Sequence, residues 1–339
     1  MKCTRIIDGL KAEALPIEEL IESGEPAILK AVAADWPLVR KGAESAQAAI
    51  DYIRSFDVGR PIVGYVGAPE IRGRYFYDAE MKGLNFEARR YALPEFLDRI
   101  SGTFDEANAS SLYIGSTDLD GYLPGLREHN GLPVDRPPFA AHAPIVSIWV
   151  GNRTVASTHY DFSNNIACNM VGRRRFTLFP PDQIANLYPG PLEPTPGGQV
   201  VSMVDLRAPD FDRYPRFRDA LEAAEIAELE PGDLLIYPAM WWHNVEALEP
   251  FNAMINYWWN AVPAFVDTPM TTLLHGMLSL RDRPAHEKAA WRELFDYYIF
   301  GAGEQAALHL PEHIRGPLAP MDETISRRLR AELLRRLNR

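Results

Sequence analysis

Cysteine is nearly absent from this chain of 339 residues, which contains only Cys3 and Cys168. Two cysteines so far apart in sequence provide neither a disulfide framework nor a cysteine-rich zinc site. Such sparse cysteine usage is typical of a reducing compartment. We therefore expect a cytoplasmic protein.

The sequence also lacks long apolar runs and has fewer basic than acidic residues. No stretch reaches the roughly 18 consecutive apolar residues of a membrane span, and the N-terminal segment lacks the apolar core of a signal peptide. Lys and Arg total 35 against 46 Asp and Glu, which gives a formal net charge of −11. An acidic surface repels phosphate backbones and anionic lipid. We expect neither nucleic acid nor membrane as a partner.

The pattern of apolar residues changes twice along the chain. Residues 1–109 mix helical and extended patterns, residues 110–262 consist of short apolar runs separated by turn residues, and residues 263–339 return to helical spacing. We predict N-terminal α/β elements, a strand-rich sandwich or barrel, and a C-terminal helical region. The predicted helices are Ala43–Phe56, Leu93–Ile100, Met270–Leu280, Glu287–Phe300 and Asp322–Arg339.

The last of these helices carries an apolar stripe. Ile325, Leu329, Leu333 and Leu337 recur every fourth residue and are flanked by arginines. The periodicity alone fits packing against the barrel and packing against a second copy equally well.

Two motifs in the strand-rich part contain side chains that can hold a metal ion. His159 and Asp161 are two residues apart, so in a strand both side chains point to the same face. His243 follows the apolar run LLIY and the sequence PAMWW. Taken singly, H-x-D fits a surface pair and His243 fits a core histidine. Together, two histidines and one carboxylate match the facial triad of non-haem Fe(II) oxygenases.

The residues around these motifs add a family likeness. The segments HYD…N…GRRRFTLFPPDQIANLYPGP, PGDLLIYPAMWWHNVEAL and INYWW closely resemble the JmjC and cupin-type 2-oxoglutarate oxygenases. The resemblance is greatest to the branch that contains the asparaginyl hydroxylase acting on hypoxia-inducible factor. It implies a mainly β fold, a double-stranded β-helix or jelly roll with flanking helices. It also implies Fe(II) as cofactor and 2-oxoglutarate as co-substrate.

The resemblance assigns roles to single positions. His159, Asp161 and His243 match the iron ligands and are therefore the expected catalytic centre. Arg174 and Tyr113 match groups that hold the far carboxylate of 2-oxoglutarate. Asn165 and Asn256 match amides near its keto-acid end, and Trp258 is expected to border the substrate pocket.

Two positions depart from the closest relatives. Arg174 stands where these relatives have lysine, and its guanidinium binds a carboxylate through two hydrogen bonds rather than as a point charge. Ala156 replaces a residue that often carries a hydroxyl. Strand alternation turns Arg173 and Arg175 to the face opposite Arg174, which makes Arg174 the expected anchor.

The resemblance further implies the activity and the assembly. We expect a 2-oxoglutarate-dependent dioxygenase that hydroxylates a side chain of a protein or peptide, and a homodimer that forms through C-terminal helices. Two alternatives remain at this point: a non-catalytic cupin-like module that binds a metal or ligand, and a hydroxylase of small molecules.

Overall fold

The computed structural model describes residues 1–303 and 305–338. The chain divides into two compact units, the first of which is Met1–Ala261, while the second begins at Val262. The boundary between residues 109 and 110 stays a prediction from sequence.

Strands dominate the first unit. Within the described residues they are β1 (Lys2–Cys3), β2 (Arg5–Ile7), β3 (Ala27–Leu29), β4 (Ile62–Gly67), β5 (Arg74–Tyr75), β6 (Phe86–Tyr91), β7 (Ser111–Asp118), β8 (Ile145–Gly151), β9 (Val155–Tyr160), β10 (Asn164–Val171), β11 (Arg174–Phe179), β12 (Glu225–Leu229), β13 (Leu234–Tyr237), β14 (Trp242–Ala247) and β15 (Asn252–Trp259).

These strands form two sheets. A six-stranded sheet has the order β1-β12-β11-β14-β9-β5, and a nine-stranded sheet has the order β2-β3-β13-β10-β15-β8-β7-β4-β6. The central strands are antiparallel and pair with partners distant in sequence, as β14 does with β9. The predicted jelly roll with flanking helices is confirmed.

The two sheets pack face to face around a shared apolar layer. Phe176 and Leu178 of β11 meet Leu235 and Tyr237 of β13 in this layer, and all four side chains are buried. The opposite face of the nine-stranded sheet packs against helices of the first unit, and Phe96 is one of the helical residues buried there. The functional site described below lies between the sheets, in the region not filled by this apolar layer.

Helices precede and follow the strand-rich part of the sequence, and short helices also lie within it. The helices are α1 (Ile17–Glu22), α2 (Pro37–Glu44), α3 (Ala46–Arg54), α4 (Leu93–Ser101), α5 (Leu119–Tyr122), α6 (Leu126–His129), α7 (Phe217–Ala223), α8 (Pro269–Ser279), α9 (Ala285–Phe295) and α10 (Glu323–Leu337). The helix predicted over residues 43–56 is in fact two helices, because Ser45 is extended and its Oγ accepts the N–H of Ala48.

A turn before β13 fixes the strand that leads to His243. Gly232 has φ +96°, and a Cβ there would lie 2.9 Å from the Ala34 backbone, so the turn needs glycine. The buried Asp233 follows and accepts hydrogen bonds from Lys30 Nζ at 2.6 Å and from the Ala31 backbone N–H at 2.9 Å. The turn is thereby attached to the end of β3.

The second unit is helical and has little apolar core of its own. Among its described residues the buried apolar side chains are Ala306 and Ala307, whereas Leu278 is 78% exposed and Phe300 is 75% exposed. Helix α10 begins after Asp322, whose Oδ1 accepts the N–H of Ile325 at 2.7 Å. No described helix is both long and apolar enough to cross a membrane. Arg339, at the end of the predicted last helix, lies outside the described residues.

Candidate metal and 2-oxoglutarate site

Strand pairing brings the three predicted metal ligands together. His159 lies on β9 directly opposite His243 on β14, and their ring centroids are 4.3 Å apart. Asp161 follows the end of β9. One ligand atom from each of the three residues lies within 4.8 Å of the other two. The convergence follows from the antiparallel register of two neighbouring strands.

Both histidines present the same ring nitrogen to the centre of the group. His159 Nδ1 lies 2.8 Å from the Ser157 carbonyl oxygen, and His243 Nδ1 lies 3.0 Å from the Trp241 carbonyl oxygen. A carbonyl oxygen can only accept, so Nδ1–H is the donor in both cases, and Nε2 of the neutral imidazole is the nitrogen that can bind a metal ion, as in most metal-bound histidines. Burial lowers the pKa of His159 to about 4, so its imidazole is neutral at pH 7.

Asp161 supplies the negative charge of the group. Burial raises the pKa of this carboxyl, but the neighbouring His243 and His159 outweigh burial and hold the pKa below its usual value. Its Oδ2 lies 3.5 Å from His243 Nε2 and is buried without a hydrogen bond from any described residue. A buried carboxylate oxygen without a partner is costly unless a cation binds it.

The donor set fits Fe(II). Within the described chain the metal-binding group consists of two histidines and one aspartate. Three protein ligands occupy half of an octahedral coordination sphere, and this is the arrangement of non-haem Fe(II) oxygenases.

A cavity of about 190 Å³ extends from these ligands between the two sheets. The six-stranded sheet contributes His159, Arg174 and His243 to its lining, and the nine-stranded sheet contributes Tyr113 and Asn256. Its volume lies below the roughly 300–1,000 Å³ of a drug-sized ligand site, so the cavity suits a small co-substrate and one substrate group.

Arg174 places an uncompensated cation in the cavity. Its side chain is buried, with the residue only 3% exposed, and its Nε makes one long hydrogen bond of 3.4 Å to Asn169 Oδ1. Burial lowers its pKa, yet a guanidinium remains charged in proteins. No described carboxylate forms an ion pair with Arg174, whereas Arg173 pairs with Glu249 and Arg175 with Glu228 at the surface. The alternation expected from sequence therefore holds for this strand.

The other predicted residues also line the cavity. Tyr113, Asn165, Asn256 and Trp258 contribute to its wall together with Ala156. Burial raises the pKa of Tyr113, so its phenol stays protonated at neutral pH and can donate to an anion. Asn165 Nδ2 donates to the hydroxyl of Tyr237 at 2.6 Å.

Several aromatic residues of the cavity wall were not predicted from the sequence motifs. Tyr65, Tyr75 and Phe86 come from β4, β5 and β6, and they pack edge to face with ring centroids 5.0 to 6.5 Å apart. Trp149 comes from β8, and Tyr237 ends β13. Trp149 pairs with Met254 and Tyr237 pairs with Asn165, so each shares a face with a predicted site residue, but these pairings join segments that are distant in sequence and no local pattern encodes them.

A proline- and glycine-rich loop between residues 190 and 200 covers part of the cavity. Pro196, Gly197 and Gln199 line the cavity directly. The Gly190 N–H donates to the Val201 carbonyl at 2.8 Å, and Val201 forms a bridge with His159. The two ends of the loop are therefore tied together beside a metal ligand.

Comparison with known families agrees with this architecture. The model of a family described as "Cupin-like domain" matches residues 12–265, which is most of the chain. The chain belongs to the cupin-like domain family. The match includes most of the N-terminal segment as well as the jelly roll, so the cupin-like unit begins before the predicted core. The predicted family is confirmed at this level, while the narrower kinship with the asparaginyl hydroxylase stays a prediction.

Curated relatives match shorter parts of the cupin-like region. HSPB1-associated protein 1 from Homo sapiens is 32% identical over 148 residues, which are 42% of this chain and 30% of the relative. Lysine-specific demethylase JMJ31 from Arabidopsis thaliana is 31% identical over 117 residues, 34% of this chain and 21% of the relative. tRNA wybutosine-synthesizing protein 5 from Danio rerio is 32% identical over 126 residues, 37% of this chain and 33% of the relative. The chain thus spans a third or less of the length of these relatives.

Proposed function

We propose that this cupin-like protein is an Fe(II)- and 2-oxoglutarate-dependent oxygenase that hydroxylates a side chain of a protein or peptide. In this reaction 2-oxoglutarate, dioxygen and a substrate C–H bond give succinate, carbon dioxide and the C–OH product. The observation that carries the proposal is the convergence of His159, Asp161 and His243 on one wall of a cavity that also contains the unpaired cation of Arg174.

The residues of the chain have distinct tasks under this proposal. His159, Asp161 and His243 would hold Fe(II), which when bound supplies the redox chemistry that activates dioxygen. Arg174 and Tyr113 bind the far carboxylate of 2-oxoglutarate, and the charge of Arg174 fixes which end of the co-substrate lies away from the metal. The apolar aromatic wall excludes water and so strengthens these charge interactions.

The choice of a protein substrate rests on two observations. The cavity is small, so a large substrate can insert only one side chain. One relative is named a lysine-specific demethylase, a name that denotes action on an amino-acid side chain. Another is named for the synthesis of a tRNA nucleoside, so the absence of a nucleic-acid partner stays a prediction, as does the cytoplasmic location.

Anaerobic titration tests the proposed function. We expect the Fe(II)-loaded protein to develop a visible absorption band, saturable with 2-oxoglutarate, because the keto acid binds the metal directly. Aerobic incubation with candidate peptides should then add one oxygen atom, measured by mass spectrometry. Failure to bind 2-oxoglutarate would favour a non-catalytic cupin-like module, and oxygen transfer to small molecules alone would favour a small-molecule hydroxylase.

We also propose that the second unit joins two copies of the chain. Its exposed apolar residues include Leu333 and Leu337 on α10, and the described part of this unit buries too little apolar surface to form a core of its own. Two α10 stripes can cover each other in the manner of helix-to-helix packing.

The dimer has a direct test in solution. We expect the full chain to sediment as a dimer and the double variant Leu333→Glu, Leu337→Glu to sediment as a monomer, because charge at the stripe prevents its burial. Arg328→Ala is the control, since Arg328 is exposed on the other side of α10. A full chain of monomeric mass, or a double variant that remains dimeric, would contradict this interface.

A further inference from the structure

The amide of Asn256 has an orientation that its neighbour determines. Trp149 Nε1–H donates to Asn256 Oδ1 at 2.7 Å. An indole N–H can only donate, so the atom that faces Trp149 must be the amide oxygen. Asn256 Nδ2 therefore points away from Trp149, and it is buried without a hydrogen-bond acceptor among the described residues.

Asn165, the other asparagine of the cavity wall, is not fixed in this way. Its partner is the hydroxyl of Tyr237, which can donate as well as accept. Either end of the Asn165 amide can therefore face Tyr237. Of these two asparagines, Asn256 is the one whose described contact defines which amide atom is available to a ligand.

Trp149 is itself held by aromatic contacts inside the cavity wall. Its ring packs edge to face with Trp258 at 5.5 Å and tilted against Tyr113 at 6.0 Å. The indole N–H is thus fixed in place before any ligand binds.

Asn256 and Trp258 together provide two free donors. They are two residues apart on β15 and therefore share a face, and both line the cavity. Trp258 Nε1 is buried and, within the described structure, also has no hydrogen-bond acceptor. Two buried donors without acceptors on one strand form a site for an oxyanion.

We propose that Trp149 is a positioning residue that directs the Asn256 N–H₂ group toward a carboxylate of 2-oxoglutarate, with Trp258 Nε1 as the second donor. This inference rests on the proposed function. Without the indole N–H, the Asn256 amide is free to rotate and to turn its oxygen toward the carboxylate, which repels it.

The variant Trp149→Phe tests this role because it retains an aromatic ring and loses the N–H. We expect the Kd for 2-oxoglutarate in the anaerobic titration to rise about ten-fold, with the Kd for Fe(II) unchanged. Trp36→Phe is the control, since Trp36 does not line the cavity. Asn256→Asp keeps the acceptor for Trp149 and removes the N–H₂ donor, so it should bind 2-oxoglutarate at least as weakly as Trp149→Phe does.

A double-mutant cycle separates positioning from general packing. If Trp149 acts through Asn256, Trp149→Phe added to Asn256→Ala causes no further loss of 2-oxoglutarate affinity. A purely structural role would make the two losses add. The ¹⁵N–¹H NMR signal of the Trp149 indole gives a readout without ligand, because Asn256→Ala should shift it to the position of an indole that has lost its acceptor.

The outcomes distinguish this inference from the function on which it rests. Absence of a 2-oxoglutarate band in the wild-type protein would overturn both. A wild-type band together with unchanged affinity in Trp149→Phe, or additive losses in the cycle, would overturn the positioning role alone.

Discussion

Replacing Asp161 with alanine should weaken Fe(II) binding by more than about 100-fold and abolish formation of the 2-oxoglutarate band. Asp161 is the one carboxylate of the candidate metal-binding group, and its charge would offset half of the charge of a divalent ion, which uncharged imidazole ligands cannot do. Isothermal titration with Fe(II) under anaerobic conditions measures the loss directly. Asp161→Asn, which keeps the shape and removes the charge, should lose nearly as much affinity.

The metal-free protein should respond much less to the same substitution. Burial disfavours the Asp161 carboxylate, but the neighbouring His243 and His159 outweigh burial, so the carboxylate is not a net cost to the metal-free fold. The free energy of unfolding of metal-free Asp161→Ala should therefore equal that of the wild type or lie somewhat below it, while the stabilisation by Fe(II) disappears. Fe(II) affinity retained in Asp161→Ala would contradict the ligand role.

Replacing Arg174 with glutamine should weaken 2-oxoglutarate binding by at least about 100-fold and leave the Kd for Fe(II) unchanged. The reason is that Arg174 is buried and is the one lysine or arginine among the described residues that line the cavity, so it is the group suited to hold the far carboxylate. Arg174→Lys should lose less affinity for 2-oxoglutarate, because the ammonium keeps the positive charge and loses only the bidentate hydrogen-bond geometry. The anaerobic titration measures both variants.

Neighbouring arginines provide a matched control for this variant. Arg173→Gln and Arg175→Gln remove the same charge from the two surface-exposed positions that flank Arg174, and both should bind 2-oxoglutarate as the wild type does. Pyruvate, which has the keto-acid end but no far carboxylate, should bind equally weakly to the wild type and to Arg174→Gln. A loss of pyruvate affinity in Arg174→Gln would contradict this role, because it would mean that Arg174 contacts the keto-acid end of the co-substrate.

The parts of the site that sequence could predict are those fixed by local geometry. The spacing of His159 and Asp161 and the parity of Arg174 depend only on alternation within a strand. The helix ending at Leu337 was predictable to within a few residues because its apolar spacing and the Asp322 cap are local signals.

The remaining parts depend on strand pairings between distant segments. Tyr65 and Phe86 reach the cavity because β4 and β6 join the nine-stranded sheet through β7, and no local pattern encodes that pairing. Trp149 lies in an apolar run, where a wall residue and a core residue have the same sequence pattern. The role of its N–H depends on a partner 107 positions away.

The loop over residues 190–200 is closed at its base by the hydrogen bond between Gly190 and Val201. A change in the length or sequence of the loop tip is therefore separated from His159 by a fixed pair of residues, since Val201 also bridges to His159. Under the proposed function, this loop is the segment to exchange in order to change which substrates reach the cavity while His159 stays in place.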